Sequence, residues 1–495
     1  MKASIIKKIL FVLVLLLFSV FSNGQYAVFF AIWIFTTILL FAVRRLTRWQ
    51  GFLLAFLLIG TGYYIGFDVT PIPIIVSIIF AVLFSLNAAL PYLIDSFFLK
   101  KRNSFLTTLL FPTSAVLVEY IYHQFNLYGT WGHLAYTQQS QSVLLQSIAV
   151  FGMGYITFLI TWFASVSNWV YEQRNEGRNV KKGVLVYSIV LGLTLMYGGY
   201  RVQFQKPNSE TVRVASISAL DSLKVMIDIQ GINNKETENQ VKIETRTNTS
   251  KLNQYLFDRS IKEAEAGAKI IFWAEGNGVI LKEDENELYD EASQIASEQS
   301  IYLGLGIAVV DPTNSKFLEN KFVLFDRTGK KVMDYWKGIS VPGPETQVSN
   351  NKVTGIQKIE TEYGSIAGAI CFDLDFPNYL KEAEGSDILL APSNDWKEID
   401  QLHTNIAKFR ALEQGFNLIR QASFGNSIGT DYTGKVISEM NHFTDNSKVM
   451  ITHLPTKGKR TIYSMIGDTF IIFCFLAFVL VTFKLKSKNN NTSFE

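Results

Sequence analysis

Two short apolar stretches of this sequence end on a side chain able to do chemistry, and a third such side chain lies between them. Ile270-Ile271-Phe272-Trp273-Ala274 runs directly into Glu275, and Ile366-Ala367-Gly368-Ala369-Ile370 runs into Cys371; between them Lys337 follows Tyr335 and Trp336. The ends of buried strands commonly project side chains into an active-site crevice. A partly desolvated carboxylate placed there suits a general base. A thiol that loses its proton is a nucleophile, and an ammonium among aromatics stabilises both a thiolate and the oxyanion of a tetrahedral intermediate. Singly, each has an ordinary reading: a solvated loop Glu, a surface Lys, and a buried, inert Cys. A second acid, Glu345, follows Lys337 in the stretch Val341-Pro342-Gly343-Pro344-Glu345.

The elements around these residues read as an α/β domain. Val212–Ile217, Lys269–Trp273, Ile301–Val309, Lys321–Asp326, Gly364–Ile370, Ile388–Ala391 and Leu418–Gln421 have strand character, and Arg246–Ala266 and Leu402–Gly415 have helical character. Cys371 and Cys474 are the two cysteines, and Cys474 lies in an apolar run, so a disulfide framework within the domain is excluded. His123, His133, His403, His442 and His453 show no metal-ligand spacing, and no glycine-rich phosphate loop occurs, so no metal and no cofactor are expected. A net charge of +3 without basic, aromatic-interleaved blocks excludes a nucleic-acid partner.

On either side of this domain the chain changes character. With 48% hydrophobic and 18% charged residues it reads as membrane-embedded. About eight apolar runs are candidate spans: Ile9–Phe21, Tyr26–Val43, Gly51–Phe67, Pro71–Phe98, Ser104–Tyr122, Gln146–Val170, Val184–Tyr200 and Ile462–Phe483. The expected organisation is a seven-span bundle over 1–205, a catalytic domain over 206–456, and a last span with a cytoplasmic tail over 457–495. Lys2, Lys7 and Lys8, then Arg44, Arg45 and Arg48, then Lys100, Lys101 and Arg102, then Arg174, Arg178, Lys181 and Lys182 mark alternate loops, and Lys484, Lys486 and Lys488 follow the last run. Positively charged loops stay in the cytoplasm, so the catalytic domain is expected on the exoplasmic face. The first run also has the form of a secretory signal peptide; the orientation is the same either way. Glu119, inside the fifth run, is expected to pack within the bundle.

Taken jointly, the Trp-Ala-Glu, Tyr-Trp-Lys and Ile-Cys segments resemble the carbon-nitrogen hydrolase, or nitrilase, superfamily. Pro392-Ser393-Asn394-Asp395-Trp396, Phe409-Arg410-Ala411-Leu412-Glu413 and Arg420 extend the resemblance over most of 212–455. It implies a nitrilase-like αββα sandwich in which Glu275 is the general base, Lys337 the oxyanion stabiliser and Cys371 the nucleophile. The membrane frame is similar to the lipoprotein N-acyltransferase branch of that superfamily. That similarity implies a bacterial inner-membrane enzyme with a periplasmic catalytic domain, a phospholipid acyl donor, a lipoprotein acceptor, no cofactor, and Glu345 as an accessory acid. A membrane-tethered amidase, or another lipid-directed acyltransferase, shares the same chemistry with a different acceptor. Where the family usually has Tyr-Glu after the nucleophile, this chain has Phe372-Asp373, losing a hydroxyl and shortening a carboxylate arm.

Overall fold

Apolar segments bury their polar backbone by forming helices, and in the computed structural model such helices make up one of two compact units, Met1–Gln205 with Met465–Glu495. The other unit is Lys206–Ser464. Residues 2–67, 74–98, 104–223, 225–350, 352 and 354–491 are described; Pro71 and the Lys100-Lys101-Arg102 cluster lie outside them.

The first unit contains α1 (Lys2–Val20), α2 (Ala31–Val43), α3 (Arg48–Gly66), α4 (Ile74–Phe98), α5 (Leu110–Phe125), α6 (Ser142–Leu145), α7 (Ile148–Phe151), α8 (Gly154–Asn175), α9 (Lys181–Phe204) and the C-terminal helix Thr469–Asn491. Among the described residues five helices are long and apolar enough to cross a membrane, and a bent pair makes up to six; Ile9–Val20 and Ala31–Val43 are shorter apolar helices. Two of the expected runs are not single helices. Gln146–Val170 contains a break where the helix pair Ser142–Phe151 and Gly154–Asn175 turns by 116°. Gly152 sits there at φ +73°, a conformation favouring glycine, and an average over hydropathy does not register it. The last run, expected as Ile462–Phe483, is divided at Gly467-Asp468. Inside the bundle Arg44 and Asp95 form a two-pronged ion pair, Nε to Oδ2 and Nη2 to Oδ1, both 2.9 Å, and the pair is buried. Glu119 is buried and accepts from the Leu134 N–H at 2.8 Å, which pins the 123–142 loop to α5.

The second unit contains β1 (Thr211–Ile217), α10 (Ile229–Asn233), α11 (Glu238–Glu265), β2 (Ile270–Trp273), β3 (Gly278–Leu281), α12 (Glu285–Glu298), β4 (Tyr302–Val310), β5 (Leu318–Phe325), β6 (Lys331–Trp336), α13 (Pro344–Val348), β7 (Lys358–Thr361), β8 (Gly364–Gly368), α14 (Pro377–Leu380), β9 (Ile388–Asn394), α15 (Asp400–Gln414), β10 (Asn417–Ser423), β11 (Asn426–Thr430), β12 (Val436–Asn441) and β13 (Val449–Pro455). One sheet has the order β13-β1-β2-β4-β5-β6, with β3 beside β4; the other has the order β12-β11-β10-β9-β8-β7.

Alternation along the strands sets the layers. Val212, Val214, Ile270 and Phe272 face a core shared with Ile366, Ile388, Leu390 and Leu418 of the second sheet. Their neighbours Ala215, Ile217, Ile271 and Trp273 face Leu252, Leu256 and Phe257 of α11 and Leu288, Ala292 and Ile295 of α12. Ala407 and Ala411 of α15 join the core from the second sheet's side. The order is helices, sheet, sheet, helix. Strands β3, β6, β7 and β11–β13, with helix α12, carry no signal strong enough to be expected from the sequence; most are short, edge or partly exposed.

Candidate active site

Chain turns after the parallel-paired strands β2 and β8 and after the antiparallel edge strand β6 bring the candidate residues together. Glu275 follows β2, Lys337 follows β6, and Cys371 opens a 3-10 turn after β8; all three are buried. Strand β4 passes tightly against the backbone just before Glu275: a Cβ on Gly306 would lie 2.2 Å from the Ala274 carbonyl oxygen, so only glycine fits.

Lys337 Nζ donates to Glu275 Oε1 at 2.8 Å and to Glu345 Oε1 and Oε2 at 2.8 and 2.9 Å. Glu345 Oε2 also accepts the Val341 N–H at 2.8 Å, which folds the Val341–Glu345 stretch over the ammonium. Asn320 Nδ2 donates to Glu275 Oε1 at 2.7 Å, while Glu275 Oε2 is buried with no hydrogen-bond partner. One carboxylate oxygen is thus held and the other is open to accept a proton. Burial disfavours the Lys337 ammonium, but Glu275 and Glu345 overcompensate and hold its affinity for the proton well above the ordinary lysine value.

Cys371 has φ +48°, a left-handed conformation that costs a non-glycine residue about 1–3 kcal/mol. The strain is sustained by Asp373. Its Oδ2 accepts the Ile370 N–H at 2.9 Å and the Tyr335 hydroxyl at 2.6 Å, and its Oδ1 accepts the Ile339 N–H at 2.9 Å. Asp373 therefore ties the cysteine turn of the second sheet to the lysine segment of the first. Burial lifts its carboxyl to about 7 against these donors. Phe372 is buried edge-on to Phe376, with ring centroids 5.2 Å apart, so it packs where the family hydroxyl is missing. The hydroxyls of Tyr335 and Tyr379, 3.0 Å apart, lie beside Asp373 instead.

The Cys371 thiol donates to the Asn394 carbonyl at 3.6 Å. Burial raises its pKa well above the ordinary thiol value and the Glu275 charge adds to this, while Lys337 opposes both. At rest the sulfur keeps its proton, and a thiol in that state acts as a nucleophile only where a base takes the proton. Under the turn lie Asp375, Asp395, His403 and Arg420, all buried. Asp395 and Arg420 belong to the family-like segments without a role assigned from sequence. Asn320, Asp375 and His403 carry no sequence signal, and Tyr335 is marked only as an aromatic beside Lys337, because each acts through a partner that the local sequence does not show.

Among the described residues two groups have donor atoms within 4.8 Å of one another, as a metal ion requires: Cys371, Asp395 and His403, and Glu119, His123 and His133. In the first, both Asp395 oxygens accept from Arg420 Nη2, whose guanidinium already supplies the positive charge. In the second, His133 Nδ1 accepts the Ala135 N–H at 3.1 Å, leaving the proton of the neutral ring on Nε2, the nitrogen that faces Glu119. Neither arrangement fits a resident cation.

A carbon-nitrogen hydrolase model matches residues 245–462, and an apolipoprotein N-acyltransferase N-terminal domain model matches residues 12–166. Apolipoprotein N-acyltransferase 2 of Treponema denticola is 31% identical over 36% of this chain and 33% of its own length. The apolipoprotein N-acyltransferase of Rickettsia prowazekii is 22% identical over 96% of this chain and 98% of its own, and that of Rickettsia typhi 24% over 81% and 84%. An amidase from Nesterenkonia sp. superposes on 50% of this chain and 92% of its own, at 15% identity and a TM-score of 0.40. The paired sheets and the buried thiol turn define a carbon-nitrogen hydrolase domain, carried here by a chain rich in apolar helices. Both of its parts match in this order, and relatives named apolipoprotein N-acyltransferase align with nearly its whole length, so the chain is similar to the apolipoprotein N-acyltransferases from end to end.

Proposed function

We propose that this chain transfers a fatty acyl group from a phospholipid to the N-terminal amine of diacylglyceryl-cysteine lipoproteins, through a thioester on Cys371. The observation that carries the reading is the union of a lipoprotein-acyltransferase bundle and a carbon-nitrogen hydrolase domain over nearly the whole chain. Glu275 Oε2 takes the thiol proton as Sγ attacks the ester carbonyl. The oxyanion forms beside the Lys337 ammonium, whose charge is fixed by two carboxylates. Collapse breaks the ester C–O bond, and the departing glycerol oxygen takes the proton from Glu275, releasing lyso-phospholipid. The lipoprotein amine then attacks the thioester, Glu275 removes its extra proton, and that proton returns to the leaving thiolate. Glu345 holds Lys337 in place, and Asp373 holds the turn.

The bundle's role in this reading is to keep both lipids in the membrane, because each acyl chain leaves it only at a cost of about 0.8 kcal/mol per methylene. The catalytic domain acts on the periplasmic side of the bacterial inner membrane.

Incubating the full-length protein with phospholipid and following its intact mass tests the mechanism. A fatty-acyl adduct on Cys371, released by hydroxylamine, is expected, and Cys371→Ala abolishes both adduct and acylated lipoprotein. Full acyl transfer by Cys371→Ala rejects the thioester. An adduct that passes to water, with no N-acylated product, makes the protein a hydrolase.

A further inference from the structure

The thioester chemistry leaves one buried charge cluster unused. Asp375 closes the turn that begins at Cys371, Asp395 follows β9, His403 lies on α15, and Arg420 lies on β10. His403 Nδ1 is 2.8 Å from Asp395 Oδ1, and its Nε2 is 3.3 Å from Asp375 Oδ1, so the ring bridges two carboxylates. Arg420 Nη2 donates to both Asp395 oxygens at 2.7 and 2.9 Å and lies 3.0 Å from His403 Nδ1. Its Nη1 is committed elsewhere, to Thr404 Oγ1 and the Asn426 carbonyl, both at 3.2 Å. The sulfur of Cys371, an oxygen of Asp395 and a ring nitrogen of His403 all fall within 4.8 Å of one another.

Charge counting gives this arrangement a consequence. Two buried carboxylates against one guanidinium leave a net negative charge beside a sulfur that must itself become negative. A protonated imidazole brings the four groups to neutrality and removes that penalty.

We propose that His403 is a positioning and charge-balancing residue: an imidazolium bridging Asp375 and Asp395 that keeps the floor of the site neutral so the Cys371 thiolate can form. The proposal rests on Cys371 being the nucleophile. Burial opposes the charged ring, but Asp375 and Asp395 outweigh burial and the nearby Arg420, and His403 rises to about 9. Asp395, against its own burial, is held below the usual carboxylate range by Arg420 and His403. Asp375, Asp395, Arg420 and the thiol are the charged and titratable groups that face the ring.

The test uses the full-length protein in detergent with Cys474→Ala, so that one thiol reports. The rate of alkylation by iodoacetamide, an uncharged reagent, at about pH 7, where the imidazolium keeps its proton, reads the thiolate fraction of Cys371. His403→Gln is expected to lower that rate by about tenfold or more. His403→Gln/Asp375→Asn removes one positive and one negative charge together, and is expected to recover most of the loss. An unchanged rate in the single variant, or no recovery in the double, overturns the proposal. Should the single variant fail to fold, wild type and double variant still decide. Wild-type acyl transfer falls as pH rises through about 9, where the imidazolium loses its proton, and the double variant lacks that fall; a fall common to both overturns the proposal. Full acyl transfer by Cys371→Ala is a separate outcome, and it removes the nucleophile reading on which the proposal stands.

Discussion

At the residue scale the site is a problem in placing like charges. Glu275 and Glu345 share one ammonium, and that sharing leaves Glu275 with an oxygen free of hydrogen bonds. Remove Glu345 and Lys337 has only Glu275 to pair with, which in the proposed mechanism ties up the base and withdraws the cation from the oxyanion. Glu345→Ala is therefore expected to lower kcat by about 10- to 100-fold, the kinetic equivalent of the roughly 1.5–3 kcal/mol of a hydrogen bond to a charged group. Its melting temperature should stay close to wild type, because Glu345 lies at the rim, with 18% of its side chain exposed. A wild-type turnover number in Glu345→Ala would make this acid a loop residue. The pair Lys337 and Glu345 was legible from spacing; the shared geometry with Glu275 was not.

At the element scale the decisive contact joins two loops from different sheets. Asp373 accepts from Tyr335 at the end of β6, from Ile339 just beyond it, and from Ile370 before the cysteine turn. Asp373→Ala removes the acceptor of three donors, leaving the buried Ile370 N–H without it and the Tyr335 hydroxyl with only Tyr379, and a cost of about 2–4 kcal/mol in stability is expected. The cysteine turn and the lysine segment should also lose their register, so acyl transfer falls even at temperatures where the variant is folded. Asp373→Asn keeps an acceptor oxygen and should be milder in both respects. Thermal unfolding and single-turnover acylation of the two variants check this, and equal losses in both would reduce Asp373 to a space-filling role. The sequence marks Asp373 as a departure from the family pattern. Its function as a strap depends on Tyr335, 38 residues away, and is invisible locally.

For the whole molecule, the prediction is topological. The catalytic domain faces away from the cytoplasm if the basic loops stay inside. Arg44 counts in that sum although Asp95 matches its charge within the bundle, because acidic residues contribute little to the rule, and it stands with the other basic residues of the alternate loops, Arg45, Arg48, Arg174, Arg178, Lys181 and Lys182 among them. A phosphatase that is active only outside the cytoplasm, fused after Asn208, should be active, and a fluorescent protein that folds only in the cytoplasm should be dark at the same junction. The reverse pair of results would place the site on the cytoplasmic face.

What the sequence determined by itself is local. Continuous apolar runs ending on Glu275 and Cys371, the aromatic pair before Lys337, and long apolar stretches on either side are properties of a few consecutive residues. Burial of both faces of a strand imposes such a run on the chain directly. The bend at Gly152 was decided only in three dimensions, since hydropathy averages over a window that one backbone conformation does not change. The same holds for Asn320 on Glu275, for the Asp373 strap, and for the four charges beneath Cys371. A buried charge is tolerated only with a compensating partner, and those partners arrive from strands and helices far apart in the chain. His403 shows the limit most plainly. In the sequence it is one histidine of five without metal-ligand spacing; in the folded domain, two aspartates from separate elements hold it charged beside the thiol.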